Sequence, residues 1–158
     1  MKSIDDLTHY FGKYLLNPAF EKFRAETLIK PTKYRSEVGY IVCKTSKIEL
    51  GFTHKYDINP EKTGAKNLVF THFIFYPATE KHFSLLPFGV TLHDSLAEIE
   101  HKCGKPDKSM RINDFLWGNV TIITYHTEKN IKIDFTFDMD KKKLSRIDVG
   151  QLVKEITE

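Results

Sequence analysis

The stretch Leu86-Pro87-Phe88-Gly89-Val90-Thr91, continued by Leu92, Asp94, Leu96, Ile99 and Cys103 and closed by Gly104-Lys105-Pro106, carries the strongest structural signal in the chain. Thr91 and Asp94 stand three apart, as a capping box requires, and Leu92, Leu96, Ile99 and Cys103 fall on one helical stripe. Gly104 suits a left-handed C-cap and Pro106 cannot continue a helix, so the spacing predicts a helix that begins at Thr91 and ends at Gly104.

Four strand patterns follow that helix, at 113–117, 120–126, 131–138 and 143–149. Gly118-Asn119, Glu128-Lys129-Asn130 and residues 138–142 read as hairpin turns, so the second half is expected to be a helix followed by an antiparallel meander. A short segment at 152–156 is expected on the surface.

Upstream, Ser3 is placed to cap a helix with Ile4, Leu7, Phe11 and Leu15 on one side. Asn17-Pro18 opens a second helix, with Asn17 as N-cap, Pro18 as first helical residue, and Phe20, Phe23 and Ala19 turned inward. A linker at 27–35 carries Pro31. Strands are predicted at 38–44 and 47–53, the second alternating Ile48, Leu50 and Phe52 against Lys47, Glu49 and Gly51. Thr45-Ser46 make the turn between them, and a polar loop at 54–66 leads to a third strand at 67–76. That strand is apolar on both faces, which implies a central position or an outer face in contact with something else. Helix followed by strands occurs twice, so 18–76 and 91–149 read as candidate structural repeats within one domain spanning 1–158.

At 158 residues the chain is long enough to bury roughly 70% of its unfolded surface in a single core. Cys43 and Cys103 sit among apolar neighbours, which favours reduced structural thiols. The N-terminus has acidic residues where a secretory signal needs an apolar stretch, and no apolar run approaches the ~20 residues of a membrane span, so a soluble cytoplasmic protein without membrane attachment is expected. The balance of 24 Lys+Arg against 21 Asp+Glu, a net charge of +3, is interspersed, which argues against nucleic-acid binding.

The runs Leu86-Pro87-Phe88-Gly89-Val90, Asp94-Ser95, Cys103-Gly104-Lys105-Pro106, Trp117, Ile133-Asp134-Phe135-Thr136-Phe137 and Leu144-Ser145-Arg146-Ile147 together form a pattern. It resembles small bacterial proteins with the helix-plus-antiparallel-sheet repeat of beta-lactamase inhibitor protein and of the small lipoprotein of the outer-membrane assembly machinery. More narrowly, it resembles cytoplasmic proteins of that architecture linked to immunity against polymorphic toxins. The likeness covers about residues 86–149 well and 36–76 loosely. It departs from the lipoproteins in having neither an export signal nor a lipidated cysteine, which disfavours a periplasmic target. The resemblance implies an α+β fold and a protein-binding, toxin-neutralising role.

The residues themselves supply no decisive catalytic motif. His93 and His101, eight apart on the predicted helix, are separated by about 12 Å of rise, too far for one metal ion. The other histidines lack partners at ligand spacing, so no metal or cofactor is expected. Lys62-Thr63-Gly64-Ala65-Lys66 lacks the phosphate-loop pattern and precedes a strand, which makes it a solvated loop. Cys103 has no base on its own face, His101 lying across the helix. Asp134 and Asp138 are about 13 Å apart along a strand, beyond acid–base pair distances. Asp148 on the next strand is a candidate to approach Asp134, but Lys132 and Arg146 share that face, so a cross-strand ion-pair lattice is the simpler account. Lys141-Lys142-Lys143 in a turn between acids reads as a solubilising hairpin.

What remains is the sheet's outer face. With Ile131, Ile133, Phe135 and Phe137 toward the helices, Lys132, Asp134 and Thr136 point away, joined by either Thr121, Ile123 and Tyr125 or their alternates. Phe73, Phe75 and Tyr125 ringed by Glu49, Lys132, Asp134, Arg146 and Asp148 then compose a partner-binding patch, with aromatics to anchor and charges to orient. The expectation is an α+β domain with helices on one face of an antiparallel sheet. It would be a non-enzymatic, cytoplasmic immunity-type protein, monomer or homodimer, that occludes a toxin's active site. Near-neutral charge disfavours a strongly basic nuclease as that partner. Two alternatives stand beside it: a small-molecule binder or enzyme with a pocket on the sheet face, and a structural protein self-associating through the aromatic strand.

Overall fold

The computed structural model describes residues 2–26, 33–35, 40–43, 48–54, 68–76 and 83–151. The turn expected at Thr45-Ser46, most of the loop at 54–66 and the segment at 152–156 lie outside them. The element order is β1 (Lys2–Ser3), α1 (Ile4–Thr8), α2 (Pro18–Glu26), β2 (Lys33–Arg35), β3 (Tyr40–Cys43), β4 (Ile48–His54), β5 (Leu68–Phe75), β6 (Phe83–Leu85), α3 (Leu96–Cys103), β7 (Lys108–Asp114), β8 (Gly118–His126), β9 (Ile131–Asp138) and β10 (Lys143–Gln151). This is an α+β protein. Its main sheet has eight strands in the order β2-β3-β4-β5-β10-β9-β8-β7, and every pairing in it is antiparallel. Two four-stranded meanders therefore meet through their last strands, β5 and β10, and each meander follows a helix, α2 or α3.

The first helix is shorter than its apolar spacing suggests. It ends at Thr8, after which the chain turns and runs alongside β5. Gly12 N–H donates to Phe70 O at 2.9 Å, Phe70 N–H to Lys13 O at 2.9 Å, and Leu15 N–H to Leu68 O at 2.8 Å. β10 pairs with β5 only at residues 72–75, so the backbone groups at 68–70 are open to this segment. Satisfying them outweighs continuing the helix. Leu7 and Leu15 still reach the core. In α2 the cap is as expected, Phe20 N–H donating to Asn17 Oδ1 at 3.1 Å, and Phe20 and Phe23 are buried while Ala19 is exposed. Arg24 is also buried, its Nη2 donating to Leu15 O at 3.2 Å.

The start of α3 differs in a specific way. Thr91 and Asp94 do bond, Thr91 N–H donating to Asp94 Oδ2 at 2.7 Å and Thr91 Oγ1 to Asp94 Oδ1 at 2.9 Å, but they close a turn ahead of the helix. The capping box belongs to Ser95 and Glu98, four residues later. Asp94 is held by Lys102 Nζ at 2.6 Å, which ties the pre-helical turn to the helix C-terminus. Gly104 caps α3 with φ 81° and ψ −165°. That is a glycine-only extended conformation rather than the left-handed helical one expected.

The meander forms with three hairpins, as expected, but its first strand is displaced. β7 is Lys108–Asp114, and Phe115-Leu116-Trp117 form the turn rather than a strand. Asp114 Oδ1 accepts from Leu116 N–H at 2.9 Å and Trp117 N–H at 2.7 Å, and Gly118, with φ 71°, starts β8. Residues 118–119 thus belong to a strand. The two later turns end in Asn130 (φ 56°) and Lys142 (φ 51°).

One apolar cluster joins all of this. Ile48, Leu50, Phe73, Phe75, Ile147, Val149, Ile133, Phe135 and Ile123 carry it across the sheet, and Leu7, Phe20, Leu92 and Ile99 close it from the helical side. A register shift between Gly51 and Phe52 leaves Thr71 without an opposite residue, so Phe70 and Phe73, three apart, share the core face with ring centroids 6.1 Å apart. β5 lies between β4 and β10, so the two-sided apolar strand is central. Both of its edges are paired, which closes the route to self-association through it.

Candidate functional site

The described helices pack on one face of the sheet, and strand register decides which side chains occupy the other. Glu49 lies opposite Ile74, Ile74 opposite Asp148, Asp148 opposite Asp134, and Asp134 opposite Thr124. The adjacent row runs Arg146, Thr136, Ile122, Met110. Glu49, Lys132, Asp134, Arg146 and Asp148 are therefore brought together on the outer face, all partly exposed.

The three aromatic members of the expected patch are not there. Phe73 and Phe75 are wholly buried and Tyr125 nearly so. Phe73 is paired with Leu50 and Val149, and Tyr125 with Ile133, so each shares the core face with its partners. The alternate set, Val120, Ile122, Thr124 and His126, faces outward. Tyr125 is a core strut: its hydroxyl donates to Gly104 O at 3.0 Å, binding the end of α3 to the sheet. Burial, with Cys103, Glu100 and Asp107 nearby, pushes its ionisation up to about 12.

The ions pair along strands rather than across them. Lys132 Nζ lies 2.6 Å from Asp134 Oδ2, and Arg146 holds Asp148 in a two-pronged bond, Nε to Oδ2 at 2.7 Å and Nη2 to Oδ1 at 2.5 Å. Each pair joins residues i and i+2, neighbours on one face of a strand. The cross-strand direction instead sets Asp134 beside Asp148, carboxylate next to carboxylate. Thr124 Oγ1 donates to Asp134 Oδ1 at 2.6 Å. Bonding to Asp148 raises the Arg146 pKa against the opposing effect of burial. Tyr76 is pushed up by burial and by Glu49, whose carboxylate it hydrogen-bonds. The result is a neutralised, mutually braced array in which each carboxylate is engaged, an arrangement suited to recognition more than to proton transfer.

His72 stands beside this array. A Cβ at Gly51 would fall 2.0 Å from its Nε2, so the imidazole lies across a strand that only glycine leaves open. Burial lowers the His72 pKa, and Asp148 opposes the shift. Burial raises the Cys103 thiol to about 11, leaving it a poor nucleophile at neutral pH. Among the described residues no three His, Cys, Asp or Glu side chains are grouped so as to hold a metal ion, and no helix is long and apolar enough to cross a membrane.

The aromatic surface missing from the sheet's centre is at its end. Phe115 is 101% exposed, Leu116 86% and Trp117 53%, and Met110 on β7 is also exposed. Trp117 folds back so that the Arg146 guanidinium carbon lies 5.7 Å from its ring centroid, which links the tip to the ionic array through a cation–π contact. An apolar run beside glycine reads as strand and turn by periodicity alone. The signal that identifies the turn is Asp114, whose short side chain caps the amides two and three residues on, with Gly118 accepting positive φ. Comparison with protein-family models, with curated proteins and with solved structures finds no match to this chain.

Proposed function

We propose that this chain is a protein-binding module, most concretely a cytoplasmic immunity-type protein that neutralises a toxin by covering its active site. The observation that carries the reading is the Phe115-Leu116-Trp117 tip, exposed apolar side chains on a turn braced by Asp114. Hydrophobic and aromatic residues on a pre-formed turn bind with little ordering cost and make effective anchors for a partner's cleft. The neutralised array of Lys132, Asp134, Arg146 and Asp148 borders that anchor and supplies orientation. The likeness of the 86–149 sequence pattern to immunity proteins supports the narrower statement.

The test is co-expression with the product of the neighbouring gene. A stable complex is expected, together with protection of cells from that product. The F115A/L116A variant should bind about thirty-fold or more weakly while unfolding at an unchanged temperature. A non-toxic neighbour with no complex, or undiminished binding by the variant, overturns the reading.

A further inference from the structure

The outer edge of β7 is open. Among the described residues β7 pairs with β8 alone, across seven residues without a register shift, and only Ile112 of the seven is even partly buried. An unpaired row of backbone N–H and C=O groups of this length is a template for another strand. The strand is Lys108-Ser109-Met110-Arg111-Ile112-Asn113-Asp114, and its order of side chains is informative.

A second copy that continues the sheet with its faces preserved is related by a two-fold axis through one residue of β7, because opposite residues in an antiparallel pair share a face. An axis at Met110 sets Lys108 against Ile112, and an axis at Ile112 sets Met110 against Asp114. An axis at Arg111 sets Lys108 against Asp114, Met110 against Ile112 and Ser109 against Asn113, each pairing occurring twice. Of these three registers, only the last sets charge against opposite charge and apolar against apolar. The single like-charge pair, Arg111 with Arg111 of the second copy, is relieved because its guanidinium is drawn to Asn119 Oδ1 on β8, at 3.3 and 3.4 Å. Carried further, the same register brings the exposed Leu116 alongside Pro106 of the second copy.

We propose that β7 pairs antiparallel with β7 of a second copy about a two-fold axis at Arg111, joining two eight-stranded sheets into one. The pairing rests on the β7 edge and not on toxin binding, and shares Leu116 with the proposed toxin contact. It buries the exposed edge and carries the two Phe115-Leu116-Trp117 tips to opposite sides of the dimer centre.

Light scattering on the purified chain should give twice the mass of one chain, and K108E, which sets two acids opposite each other at both ends of the pairing, should weaken the dimer roughly tenfold. Register is read by cysteine cross-linking, since opposite Cα atoms in an antiparallel pair, about 4.5 or 5.5 Å apart, are within disulfide reach. R111C should form a disulfide dimer on mild oxidation well above the wild-type background from Cys43 and Cys103. S109C and N113C should each stay at background alone and cross-link only when mixed. Circular dichroism confirms that each variant is folded. A monomer at all concentrations overturns the proposal. So does a dimer in which R111C links no better than S109C or N113C.

Discussion

Tyr125 shows how much one side chain's direction matters. Its composition and position suit a binding surface, yet its ring packs with Phe135 (centroids 6.0 Å apart) and its hydroxyl holds the carbonyl that ends α3. Tyr125→Phe should therefore lower stability by about 1 kcal/mol, the net worth of one part-buried hydrogen bond, with partner binding unchanged. Urea denaturation measures the first and titration the second. Arg146 presents the opposite case, a residue whose outward face the sequence does show. Because Asp134 and Asp148 stand side by side, Arg146→Ala should cost about 1 to 3 kcal/mol by exposing their repulsion. Adding Asp148→Ala should recover part of the loss, a coupling that a double-mutant cycle reads directly. Equal losses in the single and double variants would show that the carboxylates do not sense each other.

At the scale of elements, two consecutive capping signals compete for the start of α3. Thr91 with Asp94 and Ser95 with Glu98 have the same spacing, and both are satisfied, but only the second heads a helix. Ser95→Ala should cost about 1 kcal/mol, seen as a lower midpoint in thermal unfolding with a native far-ultraviolet spectrum at low temperature. An unchanged midpoint would mean that the Thr91–Asp94 turn alone suffices to start the helix. Spacing cannot rank the two boxes, because the deciding contact is Lys102 with Asp94, eight residues away across the helix. The N-terminal helix fails to extend past Thr8 for a similar reason: its backbone finds partners on β5. The capped α2, β4, β5, β8, β9 and β10 are legible in the sequence because each has its own cap or a regular alternation. The tip at 115–117 reads as strand because its apolar run masks the turn chemistry of Asp114 and Gly118.

For the whole molecule, acid should act in two steps in succession, with His72 in the upper and Asp94 foremost in the lower. His72 is held below its ordinary value by burial, with Asp148 opposing. Asp94 is held below its own because the bonds from Lys102 and Thr91 outweigh the cost of burying it. Both are depressed groups, so each contributes stability that is complete above its unfolded-state pKa and is lost as pH falls through the folded one. Stability should decline from about pH 6.5 downward through His72, then again from about pH 4 through Asp94. Asp94→Asn should shrink the lower step, to which Glu98 and Asp138, held below their ordinary value by bonds from Ser95 and from Lys141, also contribute, and leave the upper, as urea titrations across pH will show. A lower step of undiminished size in the variant would assign it to those two carboxylates alone.

The partition between sequence and tertiary structure follows from the range of the interactions involved. Alternation along a strand is local, so the sequence by itself determined the α+β class, the three hairpins and the common face of Lys132, Asp134, Arg146 and Asp148; that β5 is central was settled by its pairing with β4 and β10. The sequence determined each strand's two faces but not which face of one strand joins which face of the next. That choice rests on backbone pairing between strands, on the register shift at Gly51 and Phe52, and on which apolar set the helices cover. Those are contacts between residues far apart in the chain. They sent Phe73, Phe75 and Tyr125 into the core and left Phe115, Leu116 and Trp117 in solvent.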